Sequence, residues 1–137
     1  MLVLDTNVFS ELMKAKPDEA VVSWALDHRS SGIYTTAITV SEIRLGIERL
    51  ATGRRRTLLW EAVDEVFTKF ADTILPFDAV AAVLYPRVVI GRTRAGLPID
   101  EADAKIAAIC RVVDATLVTR NTKDFAETGL TLVNPWE

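Results

Sequence analysis

Apolar residues fall in short runs separated by longer stretches of helical period. Leu2-Val3-Leu4 is too short for a helix and branched enough for a buried strand, and it ends abruptly at Asp5. Val8 to about Lys14 predicts a short helix. Pro17, followed by Asp18 and Glu19, suits the first turn of a second helix, where no backbone donor is needed and acids face the positive end of the dipole. That helix carries Val21, Val22, Trp24, Ala25 and Leu26 and stops near Ser30-Ser31-Gly32. Ile33-Tyr34-Thr35-Thr36 has strand composition. Thr39 is expected to open the next helix, through Val40, Ile43, Leu45, Ile47 and Leu50, with Gly53 as its C-cap.

Arg54-Arg55-Arg56 begins an amphipathic helix through Leu58, Leu59, Ala62, Val63, Val66, Phe67 and Phe70. Thr73 to Phe77 reads as a short strand whose pairing Pro76 limits. Asp78 opens a helix to about Arg94, which Pro86 is expected to kink or split. After the loop Ala95-Gly96-Leu97-Pro98, residues Asp100 to Val113 predict a helix with Ile106, Ile109, Cys110 and Val113 on one face. Ala115–Thr119 is a strand, Asn121–Ala126 one or two helical turns, and Leu130–Val133 a last strand. Strands alternating with helices predict an α/β fold with a mainly parallel sheet and helices on both faces. No repeat, low-complexity tract or linker interrupts the pattern, so a single domain over residues 1–137 is expected.

Composition narrows the function. Half of the chain is hydrophobic, enough for a substantial core. The net charge of -3 excludes a protein that coats nucleic acid by a positive field, but not a nuclease whose own acids contribute negative charge. Arg outnumbers Lys by eleven to five, and its planar fork suits phosphate. Cys110 is the one cysteine, so there is no disulfide framework, and its place on an apolar stripe marks it as core. The start MLVLDTN lacks a basic leader, and no run is long enough to cross a membrane, so a soluble cytoplasmic protein is expected. His28 is the one histidine and lies in a polar segment, so it is expected at the surface. It has no neighbours that would make a Ser-His-Asp triad or a histidine-rich metal site. No Walker A or GxGxxG sequence offers a phosphate cradle.

Four acids draw notice by position. Asp5 ends the first strand, at the sheet edge where open α/β folds bind ligands. Glu42, Asp103 and Asp124 each lie three residues after a capping residue: Thr39, Asp100 and Asn121. Two readings stand side by side. Each acid can serve its own helix start, as in a capping box, where such a cap is worth roughly 0.5–2 kcal/mol. Alternatively the acids converge, because helices of a parallel fold begin at the carboxyl ends of the strands. Carboxylates crowded there repel one another unless a cation intervenes. A hard divalent ion with oxygen ligands, Mg²⁺ rather than zinc, suits a site with no usable histidine and no cysteine cluster. Such an ion activates water and stabilises charge on a phosphoryl oxygen, which points to phosphodiester hydrolysis.

The run Leu4-Asp5-Thr6-Asn7-Val8, then Ser41-Glu42-Ile43 with Gly46, Ala102-Asp103-Ala104-Lys105-Ile106-Ala107-Ala108, Thr119-Arg120-Asn121-Thr122-Lys123-Asp124-Phe125, and Gly129-Leu130 with Asn134-Pro135-Trp136, resembles a PIN domain. Within that family the chain resembles VapC-type toxins of bacterial type II toxin–antitoxin pairs, including the FitB-like branch. The resemblance spans nearly the whole chain with its motifs in family order. It implies a PIN fold, a Rossmann-like three-layer α/β/α sandwich. It also implies an endoribonuclease dependent on Mg²⁺ or Mn²⁺, cutting tRNA, rRNA or mRNA and neutralised by a VapB-like antitoxin. A homodimer is implied, reaching operator DNA only through the antitoxin.

Carried over position by position, the family's acidic site matches Asp5, Glu42 and Asp103 as metal and catalytic residues. The fourth acid falls in Thr119–Asp124 and is assigned to Asp124. Thr6, Asn7, Thr119 and Asn121 are polar residues supporting the site. Pro86 departs from the family's pattern. Arg54, Arg55 and Arg56 read as a solvated helix start, with contact to RNA or antitoxin as the alternative. Trp24, Trp60 and Trp136 read as packing residues. Two other functions compete. A nuclease acting on DNA is disfavoured by small size, and a non-catalytic corepressor by the complete acidic set.

Overall fold

Each apolar run becomes a strand because helices cover both of its faces. The computed structural model describes residues 1–137. The strands β1 (Leu2–Leu4), β2 (Ile33–Thr36), β3 (Ile74–Leu75), β4 (Thr116–Val118) and β5 (Thr131–Val133) form one sheet in the order β3-β2-β1-β4-β5. Every pairing is parallel. The helices are α1 (Thr6–Leu12), α2 (Glu19–His28), α3 (Ala37–Glu48), α4 (Arg54–Lys69), α5 (Ala79–Arg94) and α6 (Glu101–Val112).

Side chains alternate across the sheet. Val3 and Leu117 turn to one side and join Val88, Ala104, Ala107 and Cys110 of α5 and α6. Leu4 and Val118 turn to the other and join Val8, Phe9, Ile47, Val63 and Phe67 of α1, α3 and α4. Cys110 is fully buried, and burial, followed by the nearby Asp5 charge, pushes its thiol up to about 12, so it behaves as a core residue.

Register places the site. Leu4 pairs with Val118, so Asp5 and Thr119 leave the sheet side by side, both on the parity that faces α6. The strand order reverses between β1 and β4, which makes this edge the topological switch point of the sheet.

Several boundaries differ from the sequence expectation, each for a local reason. Helix α1 starts at Thr6 because the Asp5 carboxylate accepts from the Thr6 amide. Asp18, not Pro17, sets the start of α2 by accepting from the Ala20 amide. Thr36 rather than Thr39 caps α3: its hydroxyl accepts from the Thr39 amide, and Thr39 is buried in the first turn. Gly53 precedes α4 as its N-cap instead of closing α3, which ends at Glu48. Pro86 does not split α5. It removes one backbone bond to Ala82, and both residues lie on the exposed face, where a free carbonyl meets solvent. His28 is half-buried instead of free at the surface, with Nδ1 against the Trp24 carbonyl at 2.8 Å and its ring stacked on the indole.

Candidate active site at the carboxyl edge of the sheet

Asp5 is 4 % exposed, although it is an acid at a chain turn. Three donors occupy its carboxylate. The Thr6 amide reaches Oδ1 at 2.8 Å, and the Thr119 hydroxyl reaches Oδ2 at 2.8 Å from across the switch point. Asn7 Nδ2 approaches Oδ2 at 3.3 Å. Thr119, fully buried, gives its proton to Asp5 and accepts from the Asn121 amide at 3.0 Å and from Asn7 Nδ2 at 3.4 Å. Asn7 Oδ1 accepts in turn from the Arg120 amide. The loop after β4 is thereby tied to the loop after β1 through the residues that hold Asp5.

Glu42 is held by a second set of bonds. It lies in the second turn of α3, half-buried, and its Oε1 accepts from the Thr6 hydroxyl at 2.8 Å. Since Thr6 spends its proton on Glu42, the Thr39 hydroxyl must donate to Thr6, at 3.1 Å, and Thr36 donates to Thr39 at 3.4 Å. A directed chain Thr36→Thr39→Thr6→Glu42 results, each hydroxyl giving one proton forward. Thr6 therefore touches both acids, Asp5 through its amide and Glu42 through its hydroxyl.

Asp103 sits on the first turn of α6, where Asp100 accepts from its amide at 2.8 Å. Burial and the charges of Asp100, Asp5, Asp124 and Glu42, in that order, push its carboxyl up to about 7. Asp5 is also held above the usual carboxylate range, chiefly by burial, against the opposing effect of the Thr119 hydrogen bond. Asp5, Glu42 and Asp124 are therefore each within electrostatic reach of Asp103. Asp124 lies on the short turn Thr122–Phe125, exposed, and its amide bonds the Asn121 carbonyl; the Asn121 side chain caps nothing. The shared capping position read from the sequence thus holds in full for Asp103 alone, and Glu42 and Asp124 are placed by tertiary structure.

Three residues of this edge escaped the sequence reading as site residues. Asp100 is the nearest like charge to Asp103, and the Asp100-x-x-Asp103 spacing was its available signal. Thr36 and Thr39 feed Glu42 through hydroxyls whose direction only the packing of α1 against α3 reveals.

Glu42, Asp103 and Asp124 line three neighbouring cavities that share residues, while buried Asp5 lines none of them. A cavity of about 210 Å³ is lined by Arg92, Pro98, Ile99, Asp100, Asp103 and Asp124. It shares Asp124 with a cavity of about 320 Å³ that includes Arg120, Asn121 and Lys123. It shares Asp100 with a cavity of about 490 Å³ that includes Glu42 and Lys105. The middle cavity thus carries three acids and Arg92, with Arg120 and Lys123 toward one end and Lys105, ion-paired with Glu101, toward the other. None of Asp5, Glu42, Asp100, Asp103 or Asp124 is ion-paired with Lys or Arg; the five ion pairs lie on other acids.

This all-oxygen donor set, with no Lys or Arg ion-paired to it, fits a hard divalent ion. No group of three or more acids, histidines or cysteines is arranged to enclose an ion by itself. The fit is therefore to an ion that takes one or two carboxylates and completes its shell with water, as Mg²⁺ does.

The remaining positions lie away from the acids. Arg54 and Arg55 are exposed, and Arg56 pairs with Glu48. Trp24 packs in the core beneath α1–α4. Trp60 and Trp136 carry the guanidinium groups of Arg44 and Arg120 on their rings, at 4.6 and 4.9 Å. No helix is long and apolar enough to cross a membrane.

Fold and edge together define a Rossmann-like α/β sandwich with an acid-lined groove at its switch point. The PIN domain model matches residues 2–130, and the chain belongs to the PIN-domain family. It is 40% identical to the VapC ribonuclease Y4jK of Sinorhizobium fredii over 100% of this chain and 99% of that one. It is 36% identical to Toxin FitB of Neisseria gonorrhoeae over 99% of each chain. A solved structure of FitAB bound to a DNA fragment superposes with a TM-score of 0.92 at 36% identity, covering 100% of this chain and 96% of that one.

Proposed function

We propose that this protein is the toxin of a type II toxin–antitoxin pair, a divalent-metal-dependent endoribonuclease neutralised by a VapB-like antitoxin. The observation that carries the reading is the gathering of carboxylates with no Lys or Arg partner at the switch point, beside a cavity that holds Arg120 and Lys123. Whole-length similarity to a VapC ribonuclease and to FitB supports the substrate class and the partner. The FitAB complex on DNA supports a second role, in which operator DNA is reached through the antitoxin. An apolar cavity of about 290 Å³ between α1 and α4, lined by Leu4, Phe9, Leu12, Met13, Ala62, Val66 and Phe70, offers a place for an apolar antitoxin segment.

In this reading Asp5 and Asp103 would hold Mg²⁺ or Mn²⁺, with Glu42 and Asp124 as the further acids of the site. When bound, the ion lowers the pKa of water and stabilises charge developing on the phosphoryl oxygens. Thr119, Thr6 and Asn7 fix both oxygens of Asp5, so its carboxylate keeps one orientation. The hydroxyl chain through Thr39 and Thr6 leaves Glu42 Oε2 free of these bonds to orient the attacking water, with Asp124. Water oxygen bonds to phosphorus as its proton passes to Glu42 Oε2, the bond to the 3′ oxygen breaks and that oxygen takes a proton from solvent, and the products are a 3′-hydroxyl and a 5′-phosphate. Arg120 and Lys123, neither of them ion-paired, receive the flanking phosphates at one end.

The test is 5′-end mapping of RNA after induction, with Asp5→Asn as control. The parent is expected to yield discrete new 5′ ends that the folded variant does not. Identical ends from both proteins overturn the assignment.

A further inference from the structure

Helix α5 turns Ala81, Tyr85 and Val88 inward, and the same stripe continues to position 92, where the chain carries arginine. Arg92 is 4 % exposed. None of its bonds goes to a carboxylate. Nη1 donates to the carbonyls of Lys123 at 3.2 Å and Ala126 at 2.8 Å, and Nη2 donates to that of Pro98 at 3.3 Å. Nε is buried without a partner. An apolar residue would fill this position with no orphaned donor, so core packing does not account for the arginine.

The three carbonyls do account for it. Lys123 and Ala126 flank Asp124 on its short turn, and Pro98 leads into Asp100 and Asp103 at the start of α6. That turn has no side-chain cap of its own. One planar fork therefore ties together, by hydrogen bonds, two segments whose other link is the packing of Phe125 against α6, and the cavity between them is lined by Arg92, Asp100, Asp103 and Asp124. From this we infer that Arg92 is a positioning residue: it sets the spacing of Asp124 from Asp103 by strapping the Asp124 turn to the loop before α6. The inference rests on the nuclease reading above and adds a residue that carries none of the acid chemistry. Lysine keeps the charge but cannot present three donors in one fixed plane.

The test uses the full chain as Arg92→Lys, Asp124→Asn and the double variant, with Arg92→Met as a variant that fills the stripe. Mn²⁺ affinity is read from the free-ion signal by electron paramagnetic resonance, and backbone order from amide exchange. Arg92→Lys is expected to lower Mn²⁺ affinity about tenfold, the size of effect that orienting partners have at metal sites. Exchange should accelerate at Asp124–Ala126 while β1 and β4 stay protected. In the Asp124→Asn background the same change should add about twofold or less, since coupled residues are not additive. In RNA cleavage, kcat should fall with KM unchanged. Equal losses in both backgrounds overturn the inference, as do parental exchange at residues 124–126 or parental Mn²⁺ affinity in Arg92→Met. A parent that binds no Mn²⁺ and cuts no RNA overturns the functional reading instead; exchange then decides the strap by itself.

Discussion

Thr6 joins the two best-held acids, and its hydroxyl has one proton to give. That proton goes to Glu42, while the amide of the same residue goes to Asp5. Thr6→Val keeps the volume and the amide but strands both Glu42 and Thr39. Cleavage by Thr6→Val is expected to fall roughly 10–100-fold, as for other orienting partners of metal-site ligands, with Thr6→Ser recovering most of it. Steady-state kinetics on one defined RNA checks both. Asp103 makes a second prediction at this scale. Its folded carboxyl titrates at about 7, well above the ordinary value of 3.8, because burial and neighbouring acids oppose ionisation. Between those two values the folded state holds a proton that the unfolded state has lost, so stability falls as pH rises. In the metal-free protein the contribution of Asp103 to the melting temperature should therefore fall from pH 4 to pH 7. Asp103→Asn should remove that contribution, so the difference between variant and parent should grow in the variant's favour over this range, and added Mg²⁺ should raise the parent's melting temperature more at pH 8 than at pH 5. A difference between variant and parent that does not change from pH 4 to 7 would contradict the assignment.

At the scale of the element, helix α5 is the unusual piece. It runs unbroken through Pro86 and carries in its last turn Arg92, which the core holds. Proline costs about 3 kcal/mol relative to alanine inside a helix, offset by about 0.4–1 kcal/mol from a stiffer unfolded chain. Pro86→Ala restores the missing donor to Ala82 on an exposed face, so a gain of about 2 kcal/mol is expected in urea unfolding. Activity should not change, since Pro86 lies outside the groove. Helix α6 behaves in the opposite sense. Ile106 is fully buried on the face that supports Asp103, and Ile106→Ala should cost about 2–5 kcal/mol through the cavity it leaves.

For the whole molecule, charge is distributed against the net sign. The chain carries -3 overall, yet Arg120 and Lys123, neither of them ion-paired, stand beside Asp124 in one cavity of the acidic edge. Reversing Arg120 and Lys123 together to glutamate should raise KM for RNA and leave kcat little changed. It should also lower the slope of log affinity against log salt by about 1.4, or about 0.7 for each phosphate of a single strand that is no longer neutralised. An unaltered salt slope would remove these cations from the substrate path.

The sequence by itself determined the order of strands and helices and the parallel sheet, which follow from local period. It also located Asp103, because Asp100-x-x-Asp103 is a true helix start. It misplaced the caps near Glu42 and Asn121, since Thr36 and Thr39 offer the same local chemistry and only packing selects between them. Tertiary structure decided which side chains face one another. The pairing of Leu4 with Val118 brings Thr119 onto Asp5, and α3 lying against α1 aims a hydroxyl chain at Glu42. Arg92 was invisible for the same reason: its partners are backbone carbonyls, two of them far along the chain, and carbonyls leave no mark in a sequence.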